Sequence, residues 1–271
     1  MTESAPRPGD AWREALRASK VPQSIIDRAP EPEVSLEPER FRWRPEEDAK
    51  QPVRPSRRRA LEALPEGGSV LDVGVGGGAS SLGLAPRAAL VTGVDPLEAM
   101  LESFDASARA AGVTPRSVSG SWPEVADEVE PADVVVCHHA IYGQPEIELF
   151  LAALTAKARH RVVIEIGARP PLIGINPLFK SFHGIERLDW PVADEAEAVL
   201  SSMGLAVERE DIVLPASSGC DPRTGRLHPP PPLSRPRPGR RDRPVPTRAT
   251  PGRAAGSNPV VARSCVTSRS P

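Results

Sequence analysis

The middle of the chain alternates between short apolar runs and segments whose apolar residues recur three and four positions apart. The runs are rich in Val, Ile and Leu, as buried strands are, and the segments between them have the period of amphipathic helices. Strands are predicted at 70–73, 89–95, 113–120, 132–138, 161–166 and 205–214. Helices are predicted at 11–19, 23–28, 54–64, 79–84, 96–111, 146–158 and 193–203. This alternation predicts an α/β fold with an open, mostly parallel, doubly wound sheet that carries helices on both faces.

The same pattern divides the chain into three parts. Residues 1–53 form a helical extension with Phe41 and Trp43, which either pack against the main domain or belong to a lid over a substrate. Residues 54–214 hold the alternating strands and helices and form the main domain. Residues 215–271 are rich in Pro and Arg, have no apolar period and are predicted to be a disordered tail.

The charge of the chain changes sign where the strand pattern ends. Residues 221–271 contain 11 arginines, no lysine and two acidic residues, although the whole chain has a formal net charge of −2. No apolar strand is predicted after residue 214. We therefore hypothesise that the reading frame after about residue 217 is not the ancestral one, and that the sheet lacks its last strand.

Composition and spacing exclude several classes of protein. The cysteines Cys137, Cys220 and Cys265 are odd in number and lack metal-ligand spacing, so we expect a reducing compartment and no metal site. The N-terminus has no apolar signal-peptide core, and no stretch reaches the ~20 apolar residues of a membrane span. The acidic residues before position 221 do not attract nucleic acid. These features predict a cytoplasmic protein that acts away from membranes and nucleic acids.

A glycine-rich stretch follows the first predicted strand, and residues 72–78 read Asp-Val-Gly-Val-Gly-Gly-Gly. Glycines permit positive φ and close approach of a ligand, so the stretch predicts a nucleotide-binding corner. Gly74, Gly76 and Ala79 satisfy the looser form of a dinucleotide motif, and Asp95 lies 21 residues after Gly74. The competing pattern, acid-x-Gly-x-Gly-x-Gly, is matched throughout.

With this second pattern the sequence resembles the class I S-adenosylmethionine-dependent methyltransferases over residues 54–213. The resemblance rests on the glycine loop, on Asp95 at the end of the second strand, and on a fourth strand that opens on Asp133. It implies S-adenosylmethionine as the cofactor. The cofactor-binding residues that it implies are Asp72, Gly74, Gly76, Gly78, Asp95, Ser121, Trp122 and His138.

The resemblance also implies a role for each polar group. Asp72 is expected to accept a hydrogen bond from the methionine ammonium group or to organise the loop. Asp95 is expected to accept two hydrogen bonds from the ribose hydroxyls, because an ionised carboxylate only accepts. Ser121 would read the edge of the adenine, and Trp122 would offer it an apolar face.

Candidate catalytic residues follow the fourth predicted strand in the sequence His138-His139-Ala140-Ile141-Tyr142. Class I methyltransferases place residues near the transferred methyl group at this position. His139 or Tyr142 is a candidate general base that removes a proton from an attacking oxygen or nitrogen. In the alternative interpretation, His138 only lines the cofactor and His139 packs in a loop.

The leading hypothesis is thus an S-adenosylmethionine-dependent methyltransferase with a small-molecule acceptor. A catalytically silent or truncated S-adenosylmethionine-binding protein is one alternative, favoured by the missing last strand. An NAD(P)-dependent oxidoreductase is another, although the sequence contains no Tyr-x-x-x-Lys motif.

Overall fold

The computed structural model describes residues 6–28, 38–169, 173–188, 191–213 and 262–269. A single seven-stranded sheet has the order β3-β2-β1-β4-β5-β7-β6. Its strands are β1 (Gly68–Val73), β2 (Ala88–Asp95), β3 (Thr114–Ser119), β4 (Ala132–His138), β5 (Ala158–Gly167), β6 (Val207–Val213) and β7 (Ala262–Arg269). Strands β1 to β5 pair in parallel, which confirms the predicted open, mostly parallel α/β sheet.

Helices precede the sheet and connect its strands. They are α1 (Pro8–Ser19), α2 (Gln23–Ile26), α3 (Pro45–Asp48), α4 (Pro55–Ala63), α5 (Glu98–Ala110), α6 (Ile147–Ala156), α7 (Asn176–His183) and α8 (Ala193–Ser202). Prolines stand in the first turn of α1, α3 and α4, where their fixed φ suits a helix start. Helices α7 and α3 were not predicted individually, whereas the others agree with the sequence pattern within a few residues.

The core lies on both faces of the sheet because alternate strand residues point to opposite sides. In β4, Val135 and Cys137 join the cluster beneath α1, α6 and α8, whereas Val134 and Val136 join the cluster beneath α4 and α5. Trp12 of α1 is fully buried in the first cluster. The doubly wound arrangement predicted from the sequence is therefore confirmed.

The predicted helix at 79–84 is wrong. Turns follow Gly78, and only Leu82–Leu84 form a short 3₁₀ helix. Gly83 weakens a helix at this point, and Pro86 disfavours helical geometry in the residue before it. The glycine loop is consequently not followed by the N-terminus of an α-helix.

The expectation that no strand follows residue 214 is also corrected. Strand β7 pairs antiparallel with β5 over residues 161–167 and lies between β5 and β6. The backbone groups along this edge of β5 thereby gain hydrogen-bonding partners, which a buried edge requires. Residues 214–261, most of the predicted tail, lie outside the described residues, and the reading-frame hypothesis stays a prediction.

Candidate active site

The candidate residues lie along one edge of the sheet, at the carboxyl ends of its central strands. Strand β1 lies between β2 and β4, so the loop after β1 has Asp95 on one side and His138 on the other. Ligands of open α/β sheets bind at this edge. The fold therefore brings together the loop 74–78, Asp95 and the residues that follow β4.

Close packing between the loops after β1 and β4 depends on Gly74. This residue has a φ of 75°, and a Cβ atom added to it would lie 2.4 Å from the Cβ of Ala140. Only glycine allows both the left-handed backbone and this approach. The histidines that follow β4 are thereby held beside the glycine loop.

The segment Phe41–Trp43 of the N-terminal extension lies directly on the glycine loop. Arg42 forms an antiparallel β-bridge with Gly78, and the backbone N–H of Trp43 donates to the Gly77 carbonyl oxygen over 3.1 Å. Trp43 packs against the core beneath α4 and α5, whereas Phe41 is 42% exposed. Trp43 therefore packs against the main domain, which is one of the two alternatives that the sequence left open for these aromatics.

Asp95 is buried and holds the glycine loop. Its Oδ2 accepts a hydrogen bond from the Gly76 N–H, and its Oδ1 accepts one from the Leu97 N–H, each over 3.0 Å. The carboxylate therefore fixes the loop backbone at the end of β2. The predicted contact between Asp95 and a ribose remains a prediction.

Asp72 is fully buried at the end of β1, and neither of its carboxyl oxygens has a hydrogen-bond partner among the described residues. Burial raises the pKa of Asp72 to about 7, although the nearby hydroxyls of Ser81 and Ser80 favour the ionised form. A buried acid without a partner normally carries a free-energy penalty. An added cationic group would relieve this penalty.

The structure does not give Trp122 the exposed face that was predicted for it. Trp122 is only 5% exposed, belongs to the core, and donates from its indole Nε1 to the Phe150 carbonyl oxygen over 3.2 Å. The indole therefore stabilises the contact with α6. Ser121 is exposed beside it, and its predicted contact with the adenine edge stays a prediction.

His138 and His139 have different surroundings. Burial lowers the pKa of His138 to about 4, although the charge of Glu165 acts in the opposite direction. His138 is therefore neutral at pH 7. His139 has a φ of 58°, unusual for a residue other than glycine, and its side chain is 36% exposed. The reversed backbone turns the His139 ring towards β5.

His139 contacts both Tyr142 and Glu165. Its Nδ1 lies 3.1 Å from the Tyr142 Oη, and its Nε2 lies 3.2 Å from the Glu165 Oε1. The Tyr142 Oη also accepts a hydrogen bond from the Gly167 N–H over 2.6 Å. The two candidate bases predicted from the sequence therefore form one hydrogen-bonded pair at the end of β4.

Glu165 is a residue of the site that the sequence interpretation missed. Its side chain is 1% exposed and accepts hydrogen bonds from Arg54 and from Ser56, each over 2.7 Å. Burial acts to raise the pKa of Glu165, but the bond from His139 and the charge of Arg54 outweigh burial and lower the pKa. The available signal was an acid within the apolar run of 162–166, which predicts either a partner or a function.

Within the described residues, no group of three or more His, Cys, Asp or Glu side chains is placed to hold a metal ion. Over the same part of the chain, no helix is both long and apolar enough to cross a membrane. Burial raises the pKa of the Cys137 thiol, which therefore stays protonated at neutral pH.

A family model described as a methyltransferase domain matches residues 70–160. A ubiquinone biosynthesis O-methyltransferase from Rhizobium leguminosarum bv. trifolii (strain WSM2304) is 32% identical over 105 residues, which are 39% of this chain. The matched part spans only 40% of the length of that curated relative.

Similar solved structures include two methyltransferases. Magnesium protoporphyrin IX methyltransferase from Synechocystis PCC 6803 with bound SAH is 17% identical with a TM-score of 0.48, over 79% of this chain and 78% of the other. A SAM-dependent methyltransferase from Thiobacillus denitrificans in complex with S-adenosyl-L-homocysteine is 22% identical, with a TM-score of 0.43. The match covers 59% of this chain and 68% of the other.

The segment matched by the family model contains the glycine loop, Asp95 and the pair of His139 and Tyr142. The seven-stranded sheet supports these residues at the edge where ligands of α/β sheets bind. Residues 70–160 therefore match a methyltransferase domain, in agreement with the resemblance of the sequence to the class I S-adenosylmethionine-dependent methyltransferases.

Proposed function

We propose that the protein transfers the methyl group of S-adenosylmethionine to a hydroxyl group of a small molecule, with His139 and Tyr142 accepting the proton. The observation that carries this proposal is the hydrogen bond between the His139 Nδ1 and the Tyr142 Oη, 3.1 Å long, beside the glycine loop. Contact between Ala140 and Gly74 fixes this proximity. A base next to the cofactor loop is the arrangement that a protic acceptor requires.

The residues present fit S-adenosylmethionine. The buried, unpartnered carboxyl group of Asp72 lies beneath the glycine loop and suits the ammonium group of the methionine part. The loop 74–78 has a backbone that a ligand approaches closely, and Asp95 at its side has acceptor oxygens suited to ribose hydroxyls. Ser121 is exposed at the end of β3, where it would meet the adenine edge. His138, neutral and largely buried, would lie beside the cofactor without charge.

Bound S-adenosylmethionine would supply a methyl group activated by its sulfonium, with the neutral thioether of S-adenosylhomocysteine as the leaving group. The protein therefore has to position the acceptor and take up its proton. His139, which is partly exposed and hydrogen-bonded to Tyr142, is placed for proton uptake. Phe41, exposed on the segment that lies on the glycine loop, offers an apolar surface to an acceptor ring.

A hydroxyl acceptor is favoured by the similarity to an O-methyltransferase that acts in ubiquinone biosynthesis. The acidic character of the main part of the chain argues against a nucleic acid acceptor. A location in the cytoplasm belongs to the same proposal and agrees with the free, buried thiol of Cys137.

The proposal is tested by calorimetric titration with S-adenosylmethionine, S-adenosylhomocysteine and NAD, followed by transfer of labelled methyl to phenol, catechol and 3,4-dihydroxybenzoate. We expect both sulfur compounds to bind and NAD not to bind. The variants His139→Asn and Tyr142→Phe should bind S-adenosylmethionine normally but lose on the order of 10²-fold in kcat or more. His160→Gln, a change at an exposed histidine away from the site, is the control. Binding of NAD alone, or full activity of both variants, would overturn the proposal.

The main reason for a catalytically silent protein was the missing last strand of the sheet. Strand β7 lies at that position, so this reason no longer applies.

A further inference from the structure

Glu165 joins helix α4 to the proposed catalytic pair. Its Oε1 lies 2.7 Å from an Arg54 nitrogen and 3.2 Å from the His139 Nε2, and its Oε2 accepts a bond from the Ser56 hydroxyl. The stability of β5 does not require a carboxylate at this buried position, because an apolar residue would pack there without the cost of desolvating a charge.

The ionised state of Glu165 determines the direction of the neighbouring hydrogen bonds. A carboxylate only accepts hydrogen bonds, so the Nε2 of His139 carries the proton and donates it to Glu165. The Nδ1 of the neutral ring is then an acceptor, and the Tyr142 hydroxyl donates to it. Since the Gly167 N–H donates to the same hydroxyl oxygen, the proton of Tyr142 is directed towards His139.

We propose that Glu165 is a positioning residue that fixes the His139 tautomer, so that the Tyr142 hydroxyl relays the proton of the acceptor to the His139 Nδ1. This inference rests on the proposed function. The acceptor O–H passes its proton to the Tyr142 oxygen while the former Tyr142 proton moves to the His139 Nδ1. The positive charge that enters with the sulfonium then remains on the imidazolium, which faces the negative charge of Glu165.

The other groups around His139 agree with this charge balance. His138 is neutral because burial lowers its pKa, and the Arg54 side chain, which shares the Glu165 carboxylate with His139, is 41% exposed, so solvent screens its charge. Helix α4 supplies both Arg54 at its N-cap and Ser56 in its first turn, so the orientation of Glu165 is determined by the start of this helix. The proton relay therefore runs from the acceptor through Tyr142 and ends at His139, while Glu165 orients the ring and stays ionised.

The tautomer is measured directly by NMR of the full chain labelled with ¹⁵N-histidine, with the His139 signals assigned from the His139→Asn variant. In the unmodified protein, we expect neutral His139 to be protonated at Nε2. In Glu165→Gln, we expect a substantial population protonated at Nδ1, because the amide N–H₂ can donate to Nε2. Protonation at Nδ1 in the unmodified protein would overturn the inference, even if Glu165→Gln does not fold.

Kinetics supply the second readout, with whichever phenol of the panel is methylated. Glu165→Gln should lower kcat on the order of 10²-fold or more while KM changes less than about threefold. Glu62→Gln is the matched control, because Glu62 lies on α4 and pairs with arginines away from His139. An unchanged tautomer in Glu165→Gln, or an unchanged kcat, contradicts the inference while leaving the proposed function intact. Absence of methyl transfer by a protein with the expected tautomer would instead contradict the proposed function.

Discussion

Asp72 predicts an unusual dependence of stability on pH. Its pKa is about 7 in the folded protein and about 3.8 in an unfolded chain, so the folded state holds a proton that the unfolded state releases between these values. The stabilisation from this proton is complete at a pH below the pKa of Asp72 in the unfolded chain. It is lost as the pH rises through the pKa of Asp72 in the folded protein. A shift of about three units corresponds to a loss of about 4 kcal/mol. Roughly 3 kcal/mol of this loss falls between pH 5 and pH 8.

The substitution Asp72→Asn removes the ionisation and keeps the shape of the side chain. The amide introduces its own unsatisfied groups, but their contribution does not vary with pH. Relative to the unmodified protein, we therefore expect the free energy of unfolding of the variant to rise by roughly 3 kcal/mol between pH 5 and pH 8. Urea unfolding without cofactor, followed by circular dichroism across this range, measures the difference.

Asp133→Asn is the control for this experiment. Asp133 accepts hydrogen bonds from the Ser69 N–H and hydroxyl; burial acts to raise the Asp133 pKa, but these bonds outweigh it and lower the pKa. The contribution of Asp133 is present above its ordinary pKa and is lost only as pH falls through the lowered value. Its variant should therefore be less stable by a constant amount from pH 5 to pH 8. Parallel stability curves for Asp72→Asn and the unmodified protein would refute the reasoning about Asp72.

Three further predictions concern the cofactor and the sheet. If the ammonium group of S-adenosylmethionine binds ionised Asp72, affinity should fall on the order of 10²-fold from pH 8 to pH 5, and calorimetry in two buffers at pH 6 should detect release of about one proton. Asp95→Ala leaves the backbone N–H groups of Gly76 in the loop and of Leu97 after β2 without their carboxylate, so calorimetry should show S-adenosylmethionine binding weakened at least tenfold; unchanged affinity would remove Asp95 from the site. A chain that ends at residue 261 lacks β7, so thermal unfolding should show a lower Tm than the full chain, and an equal Tm would show that β7 contributes nothing.

Local patterns were sufficient to predict strands β1 to β6 and the glycine loop. The strand β4, for example, was predicted at its observed bounds because its apolar run is continuous and buried on both faces. Asp95 was placed next to the loop because parallel strands end at the same edge of the sheet. These features depend on residues near each other in sequence, or on general rules for α/β sheets.

Features that depend on tertiary contacts were not predictable in this way. Trp122 was expected at the adenine, but its indole finds a partner in the Phe150 carbonyl, 28 residues later. The missed role of Glu165 has the same origin, because Ser56 lies 109 residues away from it. No sequence period connects such positions, and a conformation like the positive φ of His139 has no reliable signal outside glycine.

The proposed relay depends on segments that precede and follow the parallel strands of the sheet. Helix α4 precedes β1 and orients Glu165 through Arg54 and Ser56. On its other side, β5 pairs with β7, and the residue of β7 in register with Glu165 is Cys265. Because β5 lies between β4 and β7, both neighbouring strands restrain the backbone that carries Glu165. Catalysis at the end of β4 is therefore expected to depend on β7, although none of the proposed cofactor or catalytic residues belongs to that strand.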